Sequence, residues 1–573
     1  MAATLSAHSR HPVKVLYSLD VFDTCLCRLC GEPRMLLEVL SLRLQRLMGE
    51  GCDEHLRRVF VAARATGGGG PLEEVYRRVA LHFPLPVTPA EIAALELQTE
   101  REMLRPIEAT RRLVEELRTK GDGSVAFISD MYLPSQFLVE VLAEHGFWCE
   151  GDRIYVSDEL GAYKRDGSLF RLVQQREGVS FHRWHHWGDN QLSDYSVPRR
   201  LGIHAHRVDY GYLPYERQWM ESPVVGYQWA AMLAGVARAV RLSTSCPADQ
   251  QAFVGNVSAP LMTSWTARVM ADAQRRGIRR LYFCARDMHS FFHIARQLSP
   301  LFPEVEVHYL FISGPALYDD ARCIDYLRQE GMADGTAAAI VDSCSSGKTL
   351  TVLNRLLTSH GLPPVEGYFW AQMTVEGYQT AAGHYLLVGD YLNAITPRRV
   401  SCVMGMRILY ELFFSLNFHR KTYGYALRGD RLRPVLREDR HDAFDAGSLA
   451  STRRAKRAND QLLCNFADGF AATGLVAYSH EVLHHLALPT LVAFSDRPHK
   501  EYLHYLARVS WWHRPFVGRL WGKGRGVWRR GNLFYSLPSW AGGLLRWVLT
   551  DSRRRSRVSQ LLSALKRITK QFH

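Results

Sequence analysis

"KVLYSLDVFDTCLCR", residues 14–28, runs from a β-branched and aromatic stretch straight into two aspartates and a threonine. "VKVLYSL" (13–19) has the composition of a buried strand. Asp20 follows at its carboxyl end, with Asp23 and Thr24 just beyond. An unpaired carboxylate at the mouth of a buried strand is costly to desolvate, so its presence asks for a compensating role. Open α/β sheets place their chemistry just outside the carboxyl ends of their strands. The first expectation is therefore that Asp20 is functional.

Working outward, apolar residues recur at helical spacing through "EPRMLLEVLSLRLQRLMGEG" (32–51) and the segments after it. "TPAEIAALELQTEREML" (88–104) carries a start signal, with Thr88 as cap, Pro89 in the first turn and Glu91 three residues on. Short apolar runs then alternate with helical ones: "SVAFISD" (124–130), "RIYVSD" (153–158) and "RWHHWGDN" (183–190) read as strands. A strand, a long helical insertion and then alternating helix and strand predict a parallel α/β domain with an inserted helical cap. The pattern restarts after about residue 215, with strands expected around 281–284, 304–313, 338–342 and 365–373. The expected organisation is an α/β domain over 1–215 with its cap at about 29–122, a second α/β domain over 216–440, and a helical region over 441–573.

The chain has 573 residues, 47% of them hydrophobic and 22% charged, which suits at least two globular cores. The most apolar stretch, "SPVVGYQWAAMLAGVARAV" (222–240), is broken by Gly and contains Gln228 and Arg238, so it reads as a packed helix rather than a membrane span. "MAATLSAHSRHPVK" (1–14) lacks the apolar core of a secretory signal, and a cytoplasmic location is expected. The eleven cysteines are odd in number and include no pair of C-x-x-C units, as free thiols in a reducing compartment would be. Cys25, Cys27 and Cys30 could join His182, His185 or His186 at a zinc ion, although ordinary buried thiols are the plainer reading. The net charge of +14 sits in the tail: fifteen Lys or Arg against one acid follow residue 507, and the remainder balances. Six tryptophans, from Trp511 to Trp547, are interleaved with those bases. That pairing suits the surface of an anionic membrane over 508–570, ahead of a helical region packed on the protein, with nucleic acid last.

Four short motifs fall in order along the first domain: "SLDVFDTCL", Ser129 closing "VAFIS", Lys164 in "ELGAYKRDGSLF", and "WGDNQLSD". In this order the segment from about 13 to 207 resembles the haloacid dehalogenase (HAD) superfamily of phosphohydrolases. The resemblance implies a Rossmann-like parallel sheet with a helical cap and a small phosphorylated substrate. It implies Asp20 as nucleophile, Ser129 as donor to a phosphoryl oxygen and Lys164 as the charge between nucleophile and phosphate. Mg²⁺ would be held by Asp20, Asp189 and the backbone carbonyl of Phe22, with Asp23, Thr24, Asn190 and Asp194 supporting these groups from behind. One position departs from the pattern. Most phosphatases of the superfamily carry a second Asp two residues after the nucleophile, where this chain has Phe22. Without a positioned acid, proton transfer loses about 10²–10⁴-fold, which favours low-pKa leaving groups or a site weakened to phosphate binding.

The resemblance continues, through "LYFCARDMHSFFHIA" (281–295) and "AAIVDSCSSGKTL" (338–350), to a multi-domain group associated with bacterial surface polysaccharide synthesis. That group usually has Arg where this chain has Gly314. "DSCSSGKT" (342–349) ends like a phosphate-binding loop but has Asp342 in place of the first glycine. Ser346, Gly347, Lys348 and Thr349 therefore either contact a phosphate or form a tight turn. Arg286 and Asp287 either meet a ligand or pair with each other, and Glu411 stands alone in an apolar run. Three functions follow: hydrolysis or transfer of a phosphoryl group through Asp20, a phosphate-binding scaffold at a membrane, or a transferase site near Lys348 and Arg286.

Overall fold

The computed structural model describes residues 15–48, 54–66, 70–82, 87–222, 226–319, 321–345, 348–372, 383–384, 421–437 and 446–490. The chain divides into two compact units, Met1–Pro247 with Asp468–Tyr478, and Ala248–Ala467 with Ser479–His573. Both are built on parallel sheets, the α/β class that the alternating pattern predicts.

In the first unit, β1 (Val15–Leu19) leads through a tight turn to β2 (Leu26–Arg28). Four helices follow, α1 (Pro33–Met48), α2 (Glu54–Thr66), α3 (Leu72–His82) and α4 (Pro89–Met103). Thr88 makes the reciprocal cap with Glu91 that the sequence signals. The insertion closes on β3 (Leu104–Pro106), which pairs antiparallel with β2 and so brings both stems of the cap to one point. Then come α5 (Glu108–Lys120), ended by Gly121 at φ 65°, and β4 (Gly123–Ser129). After these lie α6 (Ser135–Glu144), β5 (Arg153–Val156), α7 (Ser157–Leu160), α8 (Ser168–Glu177), β6 (Trp184–Gly188), α9 (Val197–Arg200) and β7 (His204–Arg207).

The sheet order is β5-β4-β1-β6-β7. Alternation along β1 serves two cores. Leu16 packs with Phe170, Val173 and Trp184, whereas Tyr17 and Leu19 pack with Val114, Leu117, Phe127 and Leu138. The chain leaves β1 towards β4 and β5 on one side and returns to β6 and β7 on the other. The crevice at their carboxyl ends is thus a topological switch point.

This unit runs past residue 215 through α10 (Pro214–Met220) and α11 (Tyr227–Leu242). The apolar stretch of 222–240 becomes α11, whose residues Ala230–Ala234 are fully or almost fully buried. A Cβ on Gly235 would lie 2.3 Å from the Gly31 nitrogen and 2.6 Å from the Leu29 oxygen, so the missing side chain lets α11 touch the loop after β2. No helix among the described residues is long and apolar enough to cross a membrane.

In the second unit, β8 (Arg280–Cys284), β9 (Glu306–Leu310), β10 (Ala338–Ser345), β11 (Glu366–Gln372) and β12 (Gly383–His384) form a parallel sheet in the order β12-β11-β10-β8-β9. Its core gathers Tyr282, Leu310, Leu327, Ile340, Leu353 and Phe369. The described part of the C-terminal region, 446–490, is helical, and the basic segment 508–570 lies outside the described residues.

Candidate active site

The carboxyl ends of β1, β4 and β6 bring Asp20, Ser129 and Asp189 to the switch point. The Asp20 amide donates to the Trp187 carbonyl at 2.8 Å, which anchors the turn to β6. Its carboxylate accepts from Lys164 Nζ at 2.5 Å and from the Thr24 hydroxyl at 3.2 Å. Lys164 is delivered by the segment after α7, where Asp130 accepts from its backbone amide at 3.0 Å. The same ammonium donates to Asp194 at 2.6 Å. Asp194 lies in a π-helical turn, Gln191–Ser196, capped by the Asn190 side chain. Gly188 makes this approach possible, since a Cβ there would stand 2.4 Å from the Asp194 Cβ. Ser129 is 1% exposed at the end of β4.

The sequence does not single out His186 from its neighbours, yet it belongs to this network. Fully buried, it places Nε2 3.3 Å from Asp194 and Nδ1 2.8 Å from the Ser18 hydroxyl. Burial lowers its affinity for a proton. The neutral ring therefore keeps its hydrogen on Nε2, facing an acceptor-only carboxylate, and accepts from Ser18, whose oxygen accepts in turn from Trp184 at 2.6 Å.

Oxygens of Asp20, Asp189 and Asp194 lie within 4.8 Å of one another, the one such grouping of three ligand residues among the described residues. Burial pushes the Asp20 carboxyl up to about 8, with Lys164 opposing and Asp194 and Asp189 adding to the shift. Asp189 is pushed up to about 6, first by burial and then by Asp23 and Asp194. Burial also presses Asp194 upward, but Lys164 and His186 outweigh it and hold the carboxyl below its usual range. Lys164 stays protonated, because the two aspartates outweigh its burial. When all three ionise, three carboxylates beside one ammonium carry an excess of negative charge that a divalent cation would offset. The oxygens of Asp194 are already engaged by Lys164, His186 and the Asn190 amide. Asp20 and Asp189 are thus the carboxylates that fit a hard ion such as Mg²⁺, and the Phe22 carbonyl belongs to the same turn.

The departure at Phe22 has a physical counterpart. Its ring lies 4.2 Å from the Arg28 guanidinium, which is held in turn by the buried carboxylate of Glu100 in α4. Asp23, one residue on, adopts φ 56°, the left-handed region that Asp tolerates better than most residues. Its carboxylate is turned to Arg238 of α11, 2.7 Å away.

The zinc alternative is corrected. Cys25, Cys27 and Cys30 are free, buried thiols, and the one grouping of three metal-ligand residues among the described residues, Asp20, Asp189 and Asp194, includes none of them. His182 donates no ring to them, and its carbonyl lies 3.1 Å from His204 Nε2, while His185 pairs with His206 at 3.0 Å.

In the second unit, Arg286 and Asp287 follow β8 and stand 3.7 Å apart, and the Ser343 hydroxyl donates to Asp287 at 3.1 Å. Lys348 and Thr349 open the helix Lys348–Ser359. Ser346, Gly347 and Glu411 lie outside the described residues, as does the side chain of Lys348.

No family model matches the chain, and no curated protein does. Solved structures of HAD hydrolases do resemble it. A 2-haloacid dehalogenase from Pseudomonas syringae is 16% identical, with a TM-score of 0.26, over 33% of this chain and 84% of its own. A putative HAD-hydrolase from Bacillus subtilis, solved bound to magnesium, is 17% identical, with a TM-score of 0.25, over 33% and 86%. A putative β-phosphoglucomutase from Thermotoga maritima is 15% identical, with a TM-score of 0.26, over 34% and 88%. At these identities the likeness concerns the fold, and it reaches about a third of the chain.

Proposed function

We propose that this protein is a Mg²⁺-dependent phosphohydrolase or phosphotransferase that works through an aspartyl-phosphate on Asp20. The observation that carries the reading is the shared ammonium of Lys164, which holds Asp20 and Asp194 together beside Asp189 at the switch point. Bound between Asp20 and Asp189, Mg²⁺ would neutralise phosphoryl oxygens. An oxygen of Asp20 attacks phosphorus, the bond to the leaving oxygen breaks with its electron pair, and water later cleaves the acyl phosphate. Ser129 donates to a phosphoryl oxygen. Lys164 orients the nucleophile and offsets charge, and Asp194, fixed by His186 and Asn190, keeps that lysine in place. Phe22 has no proton to give, so substrates with low-pKa leaving groups should turn over fastest. The resemblance beyond residue 216 directs the substrate towards sugar phosphates of envelope polysaccharide synthesis, with the basic segment 508–570 at an anionic membrane.

The test is phosphate release from acetyl phosphate, p-nitrophenyl phosphate and sugar phosphates, with and without Mg²⁺, in the intact protein and in Asp20→Asn. Metal-dependent release that falls at least about a thousandfold in the variant is expected. Phosphate binding without turnover on any ester would instead favour the scaffold, the reading that Phe22 motivates.

A further inference from the structure

Beside Asp189 lies a cleft of about 250 Å³. It is walled by Gly31 and Glu32 from the loop after β2, by Arg207 at the end of β7 and 208–212 from the loop after it, and by Arg238 of α11. Two of these elements, the loop after β7 and α11, lie at or beyond the end of the segment that carries the four motifs. Most charges in the wall are satisfied. Asp23 pairs with Arg238, whose Nε also donates to the Tyr210 carbonyl at 2.7 Å. Glu32 pairs with Arg34 at 2.7 Å, and Asp209 accepts from the Gly211 amide at 3.1 Å. Asp189 belongs to the carboxylate triad.

Apart from Asp189, which faces the metal-fitting triad, two groups are left over, and both are donors. The exposed Arg207 guanidinium meets no hydrogen-bond or ion-pair partner among the described residues. The Tyr212 hydroxyl is buried without a partner among the described residues, against Gly31, whose Cβ would stand 2.6 Å from it. The Arg238 guanidinium covers the Tyr212 ring at 5.3 Å and fixes that wall. A buried hydroxyl left unpaired costs free energy unless a ligand or water completes it. A free guanidinium suits a carboxylate or phosphate, which it can hold through two parallel hydrogen bonds.

We propose that this cleft binds a second anionic group of the substrate, so that the favoured substrates are phosphate monoesters that also carry a carboxylate or a second phosphate. Arg207 is the group that recognises it and Tyr212 contributes a further hydrogen bond. The inference rests on the phosphohydrolase reading for the position of the reacting phosphate, and on the cleft alone for the second anion.

The experiment compares 3-phosphoglycerate and fructose 1,6-bisphosphate with glycerol 3-phosphate on the full chain with Mg²⁺, in the intact protein and in Arg207→Ala, Arg207→Lys and Tyr212→Phe. The expected result is a kcat/KM at least about tenfold higher for the doubly anionic esters. That ratio should approach one in Arg207→Ala, recover in part in Arg207→Lys and drop about threefold in Tyr212→Phe. Preference for one of the two anionic esters alone identifies carboxylate or phosphate as the recognised group. Equal turnover of all three esters, or an unchanged ratio in Arg207→Ala, overturns the cleft while leaving the phosphohydrolase reading intact. If no ester turns over, calorimetry decides. Arg207-dependent binding of the doubly anionic esters over glycerol 3-phosphate upholds the cleft while the hydrolytic reading falls, and its absence overturns the cleft as well.

Discussion

Phe22 and Asp23 together re-aim the turn after β1. The ring packs beneath Arg28 and the carboxylate swings to Arg238, so no protonated side chain stands at the second position after the nucleophile. Phe22→Asp should raise kcat on glycerol 3-phosphate relative to p-nitrophenyl phosphate by about 10²–10⁴-fold, since only the poorer leaving group needs a proton. The same change removes the contact with Arg28, a loss of about 1–2 kcal/mol that urea unfolding would register. An unchanged ratio of the two rates would mean that proton supply is not what position 22 limits. Gly188 offers a separate test of the network. Gly188→Ala drives a methyl group into Asp194, which should cost about 1–3 kcal/mol and uncouple Lys164 from one of its two partners. Activity should fall with stability, and wild-type kinetics in this variant would count against a role for Asp194.

At the scale of elements, α11 seats against the loop after β2 because Gly235 and Gly31 meet with no side chain between them. Gly235→Ala should lower the midpoint of urea unfolding, again by about 1–3 kcal/mol, and should weaken discrimination in the cleft that α11 walls. On the edge of the same sheet, β6 and β7 place His185 against His206 and Trp187 against His206 with ring centroids 4.5 Å apart. Burial lowers the proton affinity of both imidazoles, with His204 and Lys120 adding to the shift at His185, and His185 and His204 at His206. Folded-state pKa values below those of the unfolded chain mean that the unfolded chain binds more protons in acid. The contribution of this pair to stability should therefore be full above about pH 6.5 and decline as pH falls below it. The difference in melting temperature between the intact protein and His206→Gln, followed from about pH 5 to 7.5, should show this slope, and a constant difference would count against it.

At the scale of the whole molecule, the first unit needs residues far from its four motifs. Arg241 pairs with Glu216 at 3.0 Å, Arg238 with Asp23 at 2.7 Å, and Arg105 with Asp468 at 2.7 Å. A chain ended after residue 215 loses all three pairs together with α11, whereas one ended after 247 loses only the last. The shorter chain should melt lower and expose apolar surface to a hydrophobic dye, because the loop after β2 is left uncovered. Equal melting of the two would show that α11 is dispensable to the unit.

The strands ending at Asp20, Ser129 and Asp189, the Thr88 cap and the order of the four motifs were legible in the sequence alone. Each depends on local pattern: alternation, helical spacing, capping chemistry or a carboxylate at a strand end. Three features came only from tertiary structure: the choice of His186 among three neighbouring histidines, the burial of the clustered cysteines, and the partner of Asp23 in α11. Burial and pairing between distant residues are properties of the packed chain, and no local pattern encodes which side chain two separate elements will bring within hydrogen-bond reach. The donors Arg207 and Tyr212, without partners among the described residues, belong to the same class, since a missing partner can be recognised only in the packed chain.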